Sequence, residues 1–195
     1  GDSVSGFYML ERAQKTLKRE VSYSGVGIHL GKSAKLSLLP AKANTGVVFR
    51  RCTPSGEHLD IPALLSHVCA TGRSTTLSQG SVSIATVEHL MAALRSSNVD
   101  NVIVQCSEEE IPIGDGSSRV FMELIDSAGT CELDETIPVA RLSQPVYYQH
   151  QETFLAAFPA EKLTISYTLH YPQSPTIGTQ YRSLVITEES FRENI

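Results

Sequence analysis

Residues 85–94 are ATVEHLMAAL, and at this stretch the spacing of apolar residues along the chain changes. Upstream, short runs such as SAKLSLLP (33–40) alternate with a period of two, which is typical of β-strands. Within 85–94, apolar residues recur at i, i+3, i+4 and i+7, which predicts one face of an amphipathic helix. These residues are Val87, Leu90, Met91 and Leu94. Thr86 is the expected N-cap, and the change of period indicates a fold that mixes strands with helices.

Strand-like runs and one more helix surround this segment. The predicted strands before it are 16–23, 33–40, 45–51 and 61–68, followed by a hairpin over 71–84 that turns at 78–80. After it, 98–106 is predicted to be a strand, and a second amphipathic helix begins at Asp115 or Ser117 as its cap and ends at Gly129.

The last third of the sequence is dominated by strand patterns. The polar, turn-rich segment 131–138 is predicted to be a linker. The strands predicted beyond it are 145–150, 152–159, 162–171 and 177–187, and a helix begins at the final residues EESFRENI. Since a sheet with one bare apolar face is not stable alone, either something else covers this sheet or the chain is part of a longer protein, and we expect the second.

The composition limits the kinds of partner. Sixteen Lys and Arg against 21 Asp and Glu give a net charge of −5, so no nucleic acid is expected as a partner. No apolar run is long enough for a membrane span, and the first residues do not resemble a signal peptide. Residues 1–12 are predicted to be a leader or a tag remnant. The four widely spaced cysteines are expected to be reduced, buried thiols in a reducing compartment.

Glu88 and His89 are the candidates for chemistry in the first helix. His89 lies nearly opposite the apolar face, beside Ala92 and Ala93, and these small residues predict that another helix or a ligand approaches closely. A helix N-terminus disfavours the imidazolium, and neutral imidazole is the form that binds metal. Glu88 could then act as a base toward water. The alternative is that both are simply polar residues, because glutamate is also favourable at a helix start without any catalytic role.

Six motifs taken together resemble one enzyme family. They are GVGIHLGK (25–32), ANTGVVFRR (43–51), TVEHLMAAL (86–94), VDN (99–101), EIPIGDGSS (110–118) and TIGTQYRSL (176–184). In this order they resemble the bacterial zinc-dependent UDP-3-O-acyl-N-acetylglucosamine deacetylases, which catalyse the committed step of lipid A synthesis. The resemblance runs from about residue 13 to residue 195.

The resemblance implies an α+β fold. In that family, two domains each layer a sheet against a pair of helices, and the helices of the two domains face each other across the active site. Residues 13–135 are thus expected to form the first two-layer domain, with the alanine face of the helix toward the second. Residues 136–195 match only the opening strands of an incomplete second domain of the same kind.

The resemblance also implies roles for individual residues. His89 is expected to be a zinc ligand and Glu88 the general base for hydrolysis of the acetamide at the 2-position of the glucosamine. Asp115 resembles a carboxylate that supports the site, although helix capping is an equal alternative. Substrate-binding residues carried over are Tyr171, His170, His29 and Arg73. A core position on the alternating strand is the alternative for Tyr171, and Arg73 lies in a loop expected at the lip of the pocket.

The sequence departs from the family in one important respect. The HKxxD motif that supplies the other two zinc ligands does not occur, nor do the oxyanion threonine and the leaving-group histidine. We therefore expect a cytoplasmic deacetylase whose 195-residue portion binds zinc weakly and is inactive alone. The alternatives are a non-catalytic two-layer module, or a half-site completed in trans by a partner that supplies the missing second-domain segment.

Overall fold

The computed structural model describes residues 7–52 and 55–195. This chain divides into two compact units. The first unit is Ala13–Thr136, and the second consists of residues 7–12 together with Ile137–Asn194. Of the predicted leader, residues 1–6 lie outside the described residues, and residues 7–12 form the start of a strand.

In the part of the chain that the structure describes, nine strands and two helices precede residue 129. The strands are β1 (Phe7–Leu17), β2 (Val21–Val26), β3 (Ser33–Pro40), β4 (Val47–Cys52), β5 (His58–Pro62), β6 (Val68–Ala70), β7 (Thr76–Gln79), β8 (Val82–Ala85) and β9 (Val102–Cys106). The helices are α1 (Glu88–Ser96) and α2 (Arg119–Ala128), and a short 3₁₀ turn occupies Leu65–His67.

A five-stranded sheet with the order β2-β3-β9-β4-β5 forms one layer of the first unit. Its neighbours are antiparallel except β4 and β9, which are parallel. Helices α1 and α2 contact each other, and α2 contacts β2. Alternate residues of the strands and one face of each helix are fully buried, including Leu36, Phe49, Val104, Leu94 and Phe121. The fold is therefore α+β, as predicted, with apolar faces buried between sheet and helices.

The strands β6, β7 and β8 form a smaller sheet, and the last of them, β8, leads directly to α1. The predicted hairpin is confirmed as β7 and β8. Its turn lies at residues 80–81, because β7 continues through Gln79 and Gly80 adopts a φ of 59°. Glycine adopts that left-handed conformation without the steric cost that a Cβ would bring.

Three predicted elements before residue 140 are wrong in detail. The run 16–23 is not one strand, because the chain leaves β1 at Leu17 and the Lys18 N–H donates to the Gly129 carbonyl. The run 61–68 is interrupted at Pro62, which has no N–H to continue a ladder, and a 3₁₀ turn follows. The predicted linker 131–138 lies inside the strand β10 (Thr130–Leu142), which pairs with β1.

The second unit contains two hairpins and a short helix. The hairpins are β11 (Val146–His150) with β12 (Thr153–Ala157), and β13 (Thr164–Tyr171) with β14 (Gly178–Val185). The helix α3 (Glu188–Asn194) follows, and its Phe191 is buried. The strands predicted here are confirmed. Many of their apolar side chains are exposed, among them Tyr147, Phe154, Ile165 and Tyr181.

All four cysteines are free, as predicted. Cys106 is buried, and burial raises the pKa of its thiol. Cys52 and Cys131 are half-buried and Cys69 is exposed, so the prediction of buried thiols is confirmed for Cys106 and wrong for Cys69, while Cys52 and Cys131 are buried only in part. As for the helices, none within the described ranges has both the length and the apolar character needed to cross a bilayer.

Candidate active site

Glu88 and His89 are the first two residues of α1, and the backbone just before them is strained. Thr86 has a φ of 63°, a conformation that is rare for a β-branched residue. Its predicted role as N-cap is wrong: Val87 occupies the cap position, and no side chain caps the helix. The Thr86 hydroxyl instead donates to the Glu110 carboxylate at 3.1 Å, because that buried acceptor competes for it.

The loop 71–75 is attached to the start of α1 by reciprocal hydrogen bonds. The Thr75 N–H donates to Glu88 Oε2 at 3.1 Å, while the Thr75 carbonyl accepts the N–H groups of Thr86 and Val87 at 3.0 and 3.4 Å. Glu88 is half-buried, and its negative charge lies where the helix dipole favours it. Arg73 is exposed, two residues before Thr75. The loop therefore brings Arg73 to the same end of the helix as Glu88.

His89 is half-buried, and its backbone connects α1 to the beginning of α2. The Ser118 hydroxyl donates to the His89 carbonyl at 2.9 Å. Farther along α1, the hydroxyls of Ser96 and Ser97 contact the Met122 sulfur at 3.3 and 3.6 Å. The side of α1 that carries His89 is therefore the side that approaches α2.

The two alanines of α1 differ in their burial. Ala93 is fully buried, and it shares a helix face with Ser96 and Ser97, three and four residues farther on, both of which contact Met122 of α2. The helix that approaches Ala93 thus belongs to the same unit. Ala92 remains partly exposed. The expectation that the alanine face of α1 is directed toward a second domain stays a prediction.

Glu110 is a functional candidate that sequence reasoning missed. It is only 1% exposed, and its carboxylate accepts hydrogen bonds from the N–H groups of His29 and Leu30 and from Thr86. Burial raises the pKa of this carboxyl, but these hydrogen bonds outweigh burial and the net pKa is lowered. Glu110 follows Glu108 and Glu109 in the sequence and precedes Ile111-Pro112, so the local sequence did not distinguish it from its exposed neighbour Glu109.

The predicted residue His29 belongs to the glycine-rich turn that Glu110 holds. Its N–H lies 3.0 Å from Glu110 Oε1 and 3.2 Å from Oε2. Gly27 makes room for the carboxylate, since a Cβ at this position would lie 2.3 Å from Glu110 Oε2. The structure thus connects His29 to Thr86, and through Thr86 to the start of α1.

Asp115 is exposed and interacts locally. Its Oδ1 accepts the Ser117 hydroxyl at 2.7 Å and the Ser117 N–H at 3.0 Å, and these bonds lower the pKa of the carboxyl. Neither predicted cap occupies the cap position of α2, which is taken by Ser118 without a side-chain cap bond. Ser117 does accept the N–H of Arg119, the first residue of α2. The segment that contains Asp115 is joined to α1 through Ser118.

Tyr171 and His170 lie at the end of β13 in the second unit. His170 Nδ1 and Thr179 Oγ1 are 2.7 Å apart, and Tyr171 pairs with Gly178 across the hairpin. Tyr171 is 43% exposed, so the alternative of a core position is wrong in this chain. Tyr171 and His170 therefore belong to the second unit. Glu88, His89 and the segments that carry His29 and Arg73 belong to the first unit.

The side chains available to a metal can be tested against what zinc requires. A catalytic zinc site has about three protein ligands and an open position. Within residues 7–52 and 55–195, no three His, Cys, Asp or Glu side chains are grouped so that they could hold a metal ion. His89 offers one nitrogen donor at a helix start. The described residues alone therefore do not fit a complete zinc site.

Comparisons with known proteins agree on one family. The family model for UDP-3-O-acyl N-acetylglycosamine deacetylase (LpxC) matches residues 14–195. Proteins named UDP-3-O-acyl-N-acetylglucosamine deacetylase from Chlamydia caviae and Chlamydia pneumoniae are 76% and 71% identical over 187 residues. One from Chlamydia trachomatis serovar D is 63% identical over the same number of residues. The matches cover 96% of this chain but only 65–66% of the length of these relatives.

Proposed function

Since this chain belongs to the UDP-3-O-acyl N-acetylglycosamine deacetylase family, we propose that it is the part of such an enzyme that carries the general base. The proposed substrate is UDP-3-O-acyl-N-acetylglucosamine, the substrate in the names of its relatives. The proposed reaction removes the N-acetyl group during lipid A biosynthesis, in the cytoplasm. One observation supports a catalytic role for the first residues of α1. The Thr75 N–H fixes the carboxylate of Glu88 by a hydrogen bond, directly beside His89.

Glu88 has the position and the charge that a general base needs. The residue is half-buried, and among the described residues its carboxylate accepts one hydrogen bond, from the Thr75 N–H to Oε2. An oxygen of the carboxylate therefore remains able to take a proton from water. The water oxygen attacks the acetamide carbonyl carbon, the C–N bond breaks, and the proton ends on the amine that leaves. The products are acetate and the free 2-amino sugar, so atoms and charge balance.

We further propose Zn²⁺ as the cofactor, with His89 as one ligand. Its other ligands come from outside these 195 residues, because the described residues supply no set of three. This chain alone is then expected to bind zinc weakly and to be inactive. Imidazole nitrogen is a common zinc ligand, and His89 lies in the first turn of α1.

The remaining proposed roles concern the substrate. Asp115 supports the site from the turn before α2, and Arg73 contributes from the loop that Thr75 attaches to Glu88. His29 acts from the glycine-rich turn, while Tyr171 and His170 bind the nucleotide part of the substrate. An exposed aromatic ring such as Tyr171 offers a face for stacking on a base.

The experiment that tests the base replaces Glu88 in the full-length protein. Glu88→Gln keeps the size and the acceptor for Thr75 but cannot take the proton, so kcat should fall by about 10²–10⁴-fold. Glu109→Gln makes the same charge change at an exposed position, and its kcat should match the unaltered protein. Deacetylation of the substrate is followed by acetate release. Activity of Glu88→Gln within about threefold of the unaltered enzyme would mean that Glu88 is not the base.

A further inference from the structure

The buried carboxylate of Glu110 has no role in the chemistry above, yet it joins two segments far apart in sequence. Oε1 accepts the His29 N–H at 3.0 Å and the Thr86 hydroxyl at 3.1 Å. Oε2 accepts the Leu30 N–H at 2.9 Å and shares the His29 N–H at 3.2 Å. Three donors therefore satisfy a charge that is 1% exposed, and hydrogen bonds to a charged group are the strong kind.

The first of the two segments is the chain around Thr86, just before α1. The conformation of Thr86 sets the direction in which the helix starts. Its left-handed φ lies two residues before Glu88. Ala85 is joined by its backbone to both neighbours of Glu110, donating to the Glu109 carbonyl at 2.8 Å and accepting from the Ile111 N–H at 3.0 Å. Backbone and side-chain bonds thus hold the chain in a conformation that threonine rarely adopts. A change of φ here would turn the first residues of the helix.

The glycine-rich turn is the second segment. It is closed by its own bonds, from the Gly31 N–H to the Gly27 carbonyl at 3.0 Å and from the Gly27 N–H to the Lys32 carbonyl at 3.1 Å. The N–H groups of His29 and Leu30 are directed instead to Glu110. The carboxylate therefore fixes where this turn lies relative to the start of α1.

We propose that Glu110 is a positioning residue for the deacetylase site. Its carboxylate binds both the turn 27–30 and the strained Thr86 by hydrogen bonds. Through these bonds it sets the positions of His29, Glu88 and His89. This proposal rests on the proposed function. It assigns Glu110 no contact with the substrate, and its effect on catalysis is transmitted by the backbone. Small displacements of reacting groups have large effects on rate, so such an anchor matters to kcat.

Hydrogen exchange in the full-length protein tests the link without any need for activity. In Glu110→Gln, one oxygen becomes an NH₂ group that faces donors, so an amide of the turn loses its acceptor. Exchange of the His29 or the Leu30 amide, whichever loses its acceptor, should rise by at least about tenfold, while exchange in the five-stranded sheet stays unchanged. The control Glu109→Gln should exchange like the unaltered protein. Equal increases throughout the sheet, or no increase in the turn, would overturn the proposal.

Kinetics test the transmission to the site. Glu110→Gln should lower kcat by at least about tenfold while KM changes by less than about threefold. Thr86→Val keeps the shape of the side chain but removes its hydroxyl, so it should lower kcat without raising exchange of the His29 and Leu30 amides. If Glu110→Gln does not fold, the kcat of Thr86→Val still tests whether the position of Thr86 affects catalysis. Full kcat in Thr86→Val would contradict the proposed transmission.

The two proposals can fail separately. A full-length protein that does not deacetylate the substrate would remove the proposed function, whereas exchange at His29 and Leu30 would still decide whether Glu110 makes the link. An active deacetylase in which Glu110→Gln changes neither exchange nor kcat would remove the positioning role alone.

Discussion

Replacing Gly27 by alanine should destabilise the first unit through one identified clash. The new Cβ would lie 2.3 Å from Oε2 of Glu110, 2.8 Å from its Cδ and 3.1 Å from its Cγ. All three nearest atoms belong to this one side chain, which is fully buried and held by His29, Leu30 and Thr86. The carboxylate must therefore move away from its donors, or the turn must move away from the carboxylate.

The size of the effect follows from these contacts. Overfilling a packed site costs about 1–3 kcal/mol, and each hydrogen bond to a charged group contributes about 1.5–3 kcal/mol. Because the clash and the lost bonds are one event, we expect a total loss of about 3–5 kcal/mol in the free energy of unfolding. With an m-value of about 2 kcal/mol/M, the urea midpoint falls by roughly 1.5–2.5 M.

Urea unfolding followed by far-ultraviolet circular dichroism measures this change in the full-length protein. Gly72→Ala is the matched control, because nothing lies within 4 Å of its added Cβ, and its stability should change by less than about 0.5 kcal/mol. In a Glu110→Ala background the clashing atoms are gone, so Gly27→Ala should cost at most about 1 kcal/mol. Equal costs of Gly27→Ala in both backgrounds would refute the reasoning.

Three further predictions concern the core, the pH dependence and the metal. Leu94→Ala removes a side chain that is 1% exposed and should lower the free energy of unfolding by about 2–5 kcal/mol, whereas Leu65→Ala, at a residue 92% exposed, should change it by less than about 0.5 kcal/mol. The folded pKa of Glu110 is lowered, so its stabilisation is present above the ordinary glutamate pKa of about 4.3 and is lost as the pH falls through the folded value. The difference in free energy of unfolding between the unaltered protein and Glu110→Gln should therefore shrink as the pH falls into the acid range. A difference that grows in acid would mean that the pKa of Glu110 is raised by folding and not lowered. Metal analysis of the 195-residue chain should give well below one zinc per chain, and tight stoichiometric zinc would contradict the proposal that His89 needs ligands from elsewhere.

Local patterns were sufficient to locate the secondary structure. The period change at residue 85 predicted α1, and strict alternation predicted β3 and β13, because side-chain direction along a strand or helix depends on near neighbours. The same reasoning failed where a local pattern had a distant partner. The polar segment 131–138 resembles a linker by composition, but it is a strand because β1 pairs with it.

The candidate site shows the same division. Glu88 and His89 could be chosen from the sequence, since a helix start has known electrostatics and the motif has a known family. The role of Thr86 could not be chosen correctly. Capping is its ordinary use at a helix start, and the hydroxyl turned out to bind a carboxylate 24 residues away.

The sequence alone determined the kinds of elements, their order, the family and the two residues at the start of α1. The tertiary structure decided that Ser96 contacts Met122 of α2 and that Glu110 holds His29, Leu30 and Thr86. The physical reason is the range of the interactions. Periodicity and capping act over a few residues, whereas the bonds of Glu110 to the glycine-rich turn join positions 80 and 81 residues apart. A buried carboxylate must have donors, and only the folded chain decides which ones come within reach.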